Sequence, residues 1–155
     1  MRFILKVLLV AIAINVVAGI LATSARARSQ RNCDKKLERR SLDQPEPKDW
    51  GRLYHLFKQF GVCDDGAITE RFSEDVAQLF SKQWTHLDTL SRLAAVDKAF
   101  EQFVLRHIDT TLDENELLVI AENSKWRCRA GENRICSLVH AKAQDSLDML
   151  RNVSE

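Results

Sequence analysis

Both prolines of this chain, Pro45 and Pro47, fall before Lys48, so no proline breaks a helix anywhere downstream. Over that stretch apolar residues recur at helical spacing. Trp50, Leu53, Leu56, Phe57 and Phe60 share one helical face, and Gly61 is placed to end the segment as its C′ residue. Ile68, Phe72, Val76, Leu79 and Phe80 form a second stripe. Ser73, followed by Glu74 and Asp75, is itself a good N-cap, so this stretch reads as one helix or as two short ones jointed near Phe72. A third segment over 86–95 turns Leu87, Leu90, Leu93 and Ala94 inward. Asp97 caps a fourth, in which Phe100, Phe103, Val104, His107 and Ile108 give the cleanest helical pattern in the chain. Thr111-x-x-Glu114 resembles a capping box and opens a fifth helix to about residue 123, burying Leu117, Leu118 and Ala121. A sixth, over 132–151, carries Ile135, Leu138, Val139, Ala143, Leu147 and Leu150. No alternating run of β-branched residues and no repeat of fixed period accompanies these stripes. The expected fold is all-α, a compact bundle of five to six short helices.

The N-terminal residues read differently. Arg2 and Lys6 precede an apolar run, Val7–Leu21, interrupted by Asn15 alone, and small or polar residues follow to Ala27. At about 15 residues the run is short of the roughly 20 that span a bilayer as a helix. Thr23-x-Ala25 or Ala25-x-Ala27 suits a signal peptidase, so residues 1–27 read as an export signal. The alternative is an uncleaved anchor counted from Phe3 to Ala22 with Lys6 snorkelling. The bases that follow the run oppose export, since positive charge stays on the cytoplasmic side and would leave the domain inside the cell. Export implies a periplasmic or secreted protein, with membrane contact only if the segment is uncleaved.

Residues 28–48 form a basic arm and a Pro-containing linker, and 49–152 the helical domain. The chain holds 23 basic and 22 acidic residues; losing Arg2, Lys6 and Arg26 with the signal leaves 20 against 22, a net charge of −2. The balance is uneven, with six bases and two acids in 28–40 and fourteen bases against twenty acids from Ser41 onward. A basic arm leads an acidic body. The arm reads as a solvated tail tied down at Cys33, and without interleaved aromatics it is not expected to bind nucleic acid.

Cys33, Cys63, Cys128 and Cys136 all lie beyond the export signal, where an even count means two disulfides. Of three connectivities, Cys128 with Cys136 is favoured by the short Gly131-containing loop between them, leaving Cys33 with Cys63. No Cys-x-x-Cys is present, and no metal site is expected. Catalytic motifs are also missing: no His-Glu-x-x-His, no Gly-x-Ser-x-Gly, no glycine-rich phosphate loop. His107 lies on an apolar stripe and reads as a satisfied core imidazole, while His55, His86 and His140 read as solvated. Neither catalytic residues nor a cofactor are expected. The most distinctive short segment is Cys63-Asp64-Asp65-Gly66-Ala67-Ile68. Its two carboxylates would cap the following helix or, held by a disulfide, present charge to a cationic partner. The later acids Asp109, Asp113, Glu114 and Glu116 have the same dual reading.

Trp50-x-x-Leu53-x-x-x-Phe57-x-x-Phe60, the Cys63–Ile68 segment, Phe103-Val104-Leu105-Arg106-His107-Ile108-Asp109, and Cys128 with Cys136 together resemble a group of small exported helical proteins of Gram-negative bacteria. The resemblance covers about 50–136. It implies a periplasmic helical fold and supplies no catalytic residues. The functional expectation is a non-enzymatic binding protein of the inhibitor or immunity type, docking a macromolecular partner with a basic surface through Asp64 and Asp65. The alternatives are a lipid or small-ligand carrier and, behind it, a hydrolase using scattered carboxylates.

Overall fold

In the computed structural model, which describes residues 33–153, the chain is helical from Lys35 to Val153 with short connections and no strand among the described residues. Seven helices follow one another: α1 (Lys35–Leu42), α2 (Trp50–Phe60), α3 (Ala67–Lys82), α4 (Leu87–Val96), α5 (Lys98–Arg106), α6 (Glu114–Trp126) and α7 (Asn133–Val153). Single 3₁₀ turns over Gly61–Cys63 and Trp84–His86 join α2 to α3 and α3 to α4. The all-α bundle is as expected, with one helix more than the apolar stripes predict. The expected export signal over 1–27 lies outside the described residues. Among the described residues no helix is long and apolar enough to cross a membrane.

The additional helix is α1, in the arm expected to be a solvated tail. Asp34 caps it, its carboxylate accepting from the N–H groups of Lys36 and Leu37 at 3.0 and 2.7 Å. Bases outnumber apolar residues in α1, so no stripe announces it; it is held from outside. The Cys33–Cys63 disulfide anchors its start. Arg71 of α3 holds its end, donating to the Ser41 and Leu42 carbonyls at 3.3 and 2.7 Å and to that of Gln44 at 2.5 Å. Three of the carbonyls a helix leaves open at its C-terminus and just beyond are thus closed by one guanidinium.

Other boundaries differ for local reasons. Gly61 does end α2, but in right-handed conformation (φ −60°), not as a left-handed C′ residue. Its need for glycine is steric, because a Cβ there would lie 2.9 Å from the Phe57 ring. The left-handed position is Gly66 (φ 52°), where the chain turns into α3. α3 is a single helix through Phe72; Ser73 is buried and does not cap. The capping box of α6 sits two residues later than expected. Asp113 accepts from the Glu116 N–H at 2.9 Å, and Glu116 returns to the Asp113 N–H at 3.2 Å. With that start, Ile120 joins Leu117 and Ala121 in the core and Leu118 is exposed, contrary to expectation.

The core runs through all helices from α2 onward. An aromatic ladder crosses its centre, with Tyr54 edge-on to Phe100 at 4.9 Å, Phe57 against Phe103 at 4.8 Å, and Phe72 edge-on to Phe103 at 4.9 Å. The ladder ends at His107, whose ring is 4.5 Å from that of Phe103. α6 and α7 form a hairpin whose loop is closed by Cys128–Cys136. Both disulfides therefore pair as expected. Two disulfides and no free cysteine are the state of a chain in a non-cytoplasmic or oxidising environment.

Candidate functional site

The Cys63–Ile68 turn separates two carboxylates that are adjacent in sequence. Gly66 occupies the N-cap position of α3, and no side chain caps that helix. Asp65 is exposed, its Oδ1 accepting from the Gly66 N–H at 2.9 Å. Asp64 turns inward until its side chain is only 5 % exposed. There its carboxylate accepts from the Thr69 hydroxyl at 3.0 Å, from a terminal nitrogen of Arg106, and lies 3.2 Å from His107 Nε2. Neither aspartate is the expected cap, and Asp64 is not presented to a partner. Burial alone would raise the Asp64 pKa, but the hydrogen bond and field of His107, then those of Arg106, outweigh it and hold the group at about 2. Asp64 is an ionised strut between the α2–α3 turn and the end of α5.

His107 follows the last residue of α5 and is fully buried. Its second nitrogen, Nδ1, lies 3.0 Å from Ser73 Oγ in the middle of α3. Both ring nitrogens therefore have partners, as a satisfied core imidazole requires. Ser73, His107 and Asp64 form a serine–histidine–aspartate chain that no linear motif announces. The serine is 1 % exposed and the imidazole not at all; the hydroxyl meets the ring, and Ser73 lies at the floor of a groove between α3 and the start of α6. The chain cross-links α3, α5 and the turn.

This groove encloses about 660 Å³. Its walls carry Glu70 and Glu74 from α3 and, at the start of α6, the cap Asp113 and Glu116, and among the described residues no lysine or arginine lines it. The predicted acidic group is thus partly assembled here: Asp113 and Glu116 line the groove while also capping α6. Asp109 instead closes its own turn, accepting from the Thr111 N–H at 2.9 Å.

A second cleft, about 470 Å³, lies on the other side of Glu70 and Glu74, under the α1–α2 linker. Asp75 lines it with a side chain 3 % exposed. Its Oδ2 accepts no hydrogen bond, because Arg71 Nε is 3.7 Å away and that guanidinium spends its other N–H groups on α1 and the linker. Burial, partly offset by Arg71 and reinforced by Glu46 and Glu74, pushes the Asp75 pKa up to about 6. A carboxyl raised from 3.8 to that value binds its proton more tightly folded than unfolded. Stability is therefore highest below the unfolded value and declines as pH rises through about 6. Asp75→Asn is expected to remove this decline and to gain on the order of 1–2 kcal/mol at pH 7.5, read from urea unfolding between pH 4.5 and 7.5. A variant with the wild-type pH profile would contradict the assignment.

The remaining histidines divide. His55 and His86 are exposed as expected, but His140 is half-buried between α6 and α7, with Nδ1 3.1 Å from the Ala121 carbonyl and 3.2 Å from Ser124 Oγ. Among the described residues no three His, Cys, Asp or Glu side chains are arranged to hold a metal ion. No protein-family model, curated protein or solved structure matches the chain. The inward turn of Asp64, the buried serine–histidine pair and the orphaned Asp75 leave no sequence signal beyond a charged residue beside an apolar stripe.

Proposed function

We propose that this chain is an exported binding protein, periplasmic or secreted, which docks a macromolecular partner with a basic surface in the manner of an inhibitor or immunity-type protein. The observation that carries this reading is the α3–α6 groove, lined by three exposed carboxylates, Glu70, Glu74 and Asp113, and the half-buried Glu116, with no cation lining it among the described residues. Such a groove has a focused negative potential that attracts a cationic surface and raises its rate of encounter. The docking residues are then Glu70, Glu74, Asp113 and Glu116, not the expected Asp64. Asp65 remains available at the rim of the Cys63–Ile68 turn. The resemblance to small exported Gram-negative proteins and the two disulfides fit the same location.

Glu70→Lys/Glu74→Lys tests the reading without touching a cap or a buried group. Both side chains are exposed, so the fold is expected to persist. Capture of the partner from a periplasmic extract is expected to fall at least tenfold and to weaken with salt in the wild type. Wild-type capture by the double variant would remove the groove from the proposal. Asp64→Ala is unsuitable for this purpose, because it breaks the fold's own network.

A further inference from the structure

We propose that the cleft between the α1–α2 linker and α3 is a binding site for a linear aliphatic polyamine, whose ammonium groups donate to Asp75 Oδ2 and to the glutamates around it. Four carboxylates line this space of about 470 Å³: Glu46 from the linker, Glu70 and Glu74 from α3, and Asp75. The three glutamates are exposed and form a rim, whereas Asp75 is buried beneath them. An acidic rim alone would be a solvated surface. The second observation is the buried acceptor: Asp75 Oδ2 is out of contact with solvent and, beyond its 3.7 Å ion pair with Arg71, makes no hydrogen bond among the described residues. Buried acceptors are normally satisfied, and an N–H donor entering the cleft would satisfy this one.

The nature of the donor follows from the charges. Arg71, the one cation lining the cleft among the described residues, commits its terminal nitrogens to the carbonyls of Ser41, Leu42 and Gln44. Four acids against one base leave an excess that a single ammonium does not balance. A compact metal ion is disfavoured by the missing three-ligand cluster among the described residues and by Arg71 Nε only 3.7 Å from Oδ2. A flexible chain of ammonium groups reaches floor and rim together, and its methylene segments can lie along Pro45 and Ala67, which also line the cleft. The groups facing Asp75 are Arg71, Glu70 and Glu74 from α3 and Glu46 from the linker, while α1 offers backbone carbonyls to Arg71. Because Asp75 holds its proton up to about pH 6, proton and polyamine compete for it. Glu70 and Glu74 line both this cleft and the α3–α6 groove, whereas Asp75 lines the cleft and not the groove, so Asp75→Asn separates this inference from partner docking.

Titration of the full chain with spermidine by calorimetry at constant ionic strength tests it. One-to-one binding is expected at pH 7.5, weakened at least tenfold by Asp75→Asn and a few-fold by Glu74→Gln. Lowering the pH to 5 is expected to weaken wild-type binding more than that of Asp75→Asn. Absence of binding at millimolar spermidine would overturn the proposal, as would unchanged affinity in a folded Asp75→Asn protein. So would equal displacement by Mg²⁺, which marks general screening. A lysine peptide that binds through Asp75 as tightly as spermidine would also overturn it, by making the ligand a protein.

Discussion

Asp64→Ala is expected to lower the unfolding free energy by about 3–4 kcal/mol and the Tm by on the order of 10–15 °C. The alanine removes one carboxylate and strands three donors: the Thr69 hydroxyl, a terminal nitrogen of Arg106 and His107 Nε2. These donors differ in consequence. Arg106 is 57 % exposed and returns to water, so its share is screened. His107 is fully buried, and its Nε2 is left without a partner beside the aromatic ladder. The cost therefore comes mostly from the histidine end. Asp64→Asn, which keeps the shape and one acceptor oxygen, is expected to lose about half as much.

The pH dependence of the same group runs opposite to that of Asp75. A carboxyl held at about 2 contributes stability that is fully present above the unfolded value of 3.8 and is lost as pH falls through the folded value. Wild-type protein should lose roughly 2 kcal/mol from this source on acidification from pH 4 to 2, and Asp64→Ala should not. Denaturation series at several pH values would show both effects. An Asp64→Ala protein within 1 kcal/mol of wild type at pH 7 would mean that the network contributes little.

Sequence pattern reaches local order and stops where partners are distant. The stripes of α2, α3, α5 and α7 are legible because periodicity is a property of neighbouring residues. So is the cap at Asp97, which accepts from the Ala99 and Phe100 N–H groups at 3.1 and 3.2 Å. Asp64 and Asp65 look alike in sequence. What separates them is a partner 43 residues away, His107, and a glycine turn that points one inward. The α3–α6 groove is equally hidden, since Glu70 and Glu74 acquire Asp113 and Glu116 as neighbours only when the helices pack. Helix α1 fails the stripe test for the complementary reason: its residues carry little drive to bury, and its order comes from a disulfide and from Arg71.

That dependence sets the second large effect. Cys33→Ser/Cys63→Ser is expected to cost about 3–4 kcal/mol, against about 2–3 for Cys128→Ser/Cys136→Ser, because the first bridge closes a separation of 30 residues and the second one of 8. The two losses should also differ in kind. Without Cys33–Cys63, α1 is tied to the bundle by the three Arg71 bonds and by Leu37, which is partly buried against the core. Its short, charge-rich sequence does not sustain a helix in isolation. Amide exchange in 35–42 is therefore expected to rise by at least tenfold, while α6 and α7 keep their protection. Removing Cys128–Cys136 leaves a hairpin already joined by its own apolar face, including Ile120, Ile135 and Val139, so its opening should follow global unfolding. Equal costs for the two pairs, or continued protection of α1 without its disulfide, would show that α1 folds on strength of its own. In that event Arg71, rather than the disulfide, is what positions the linker over Asp75.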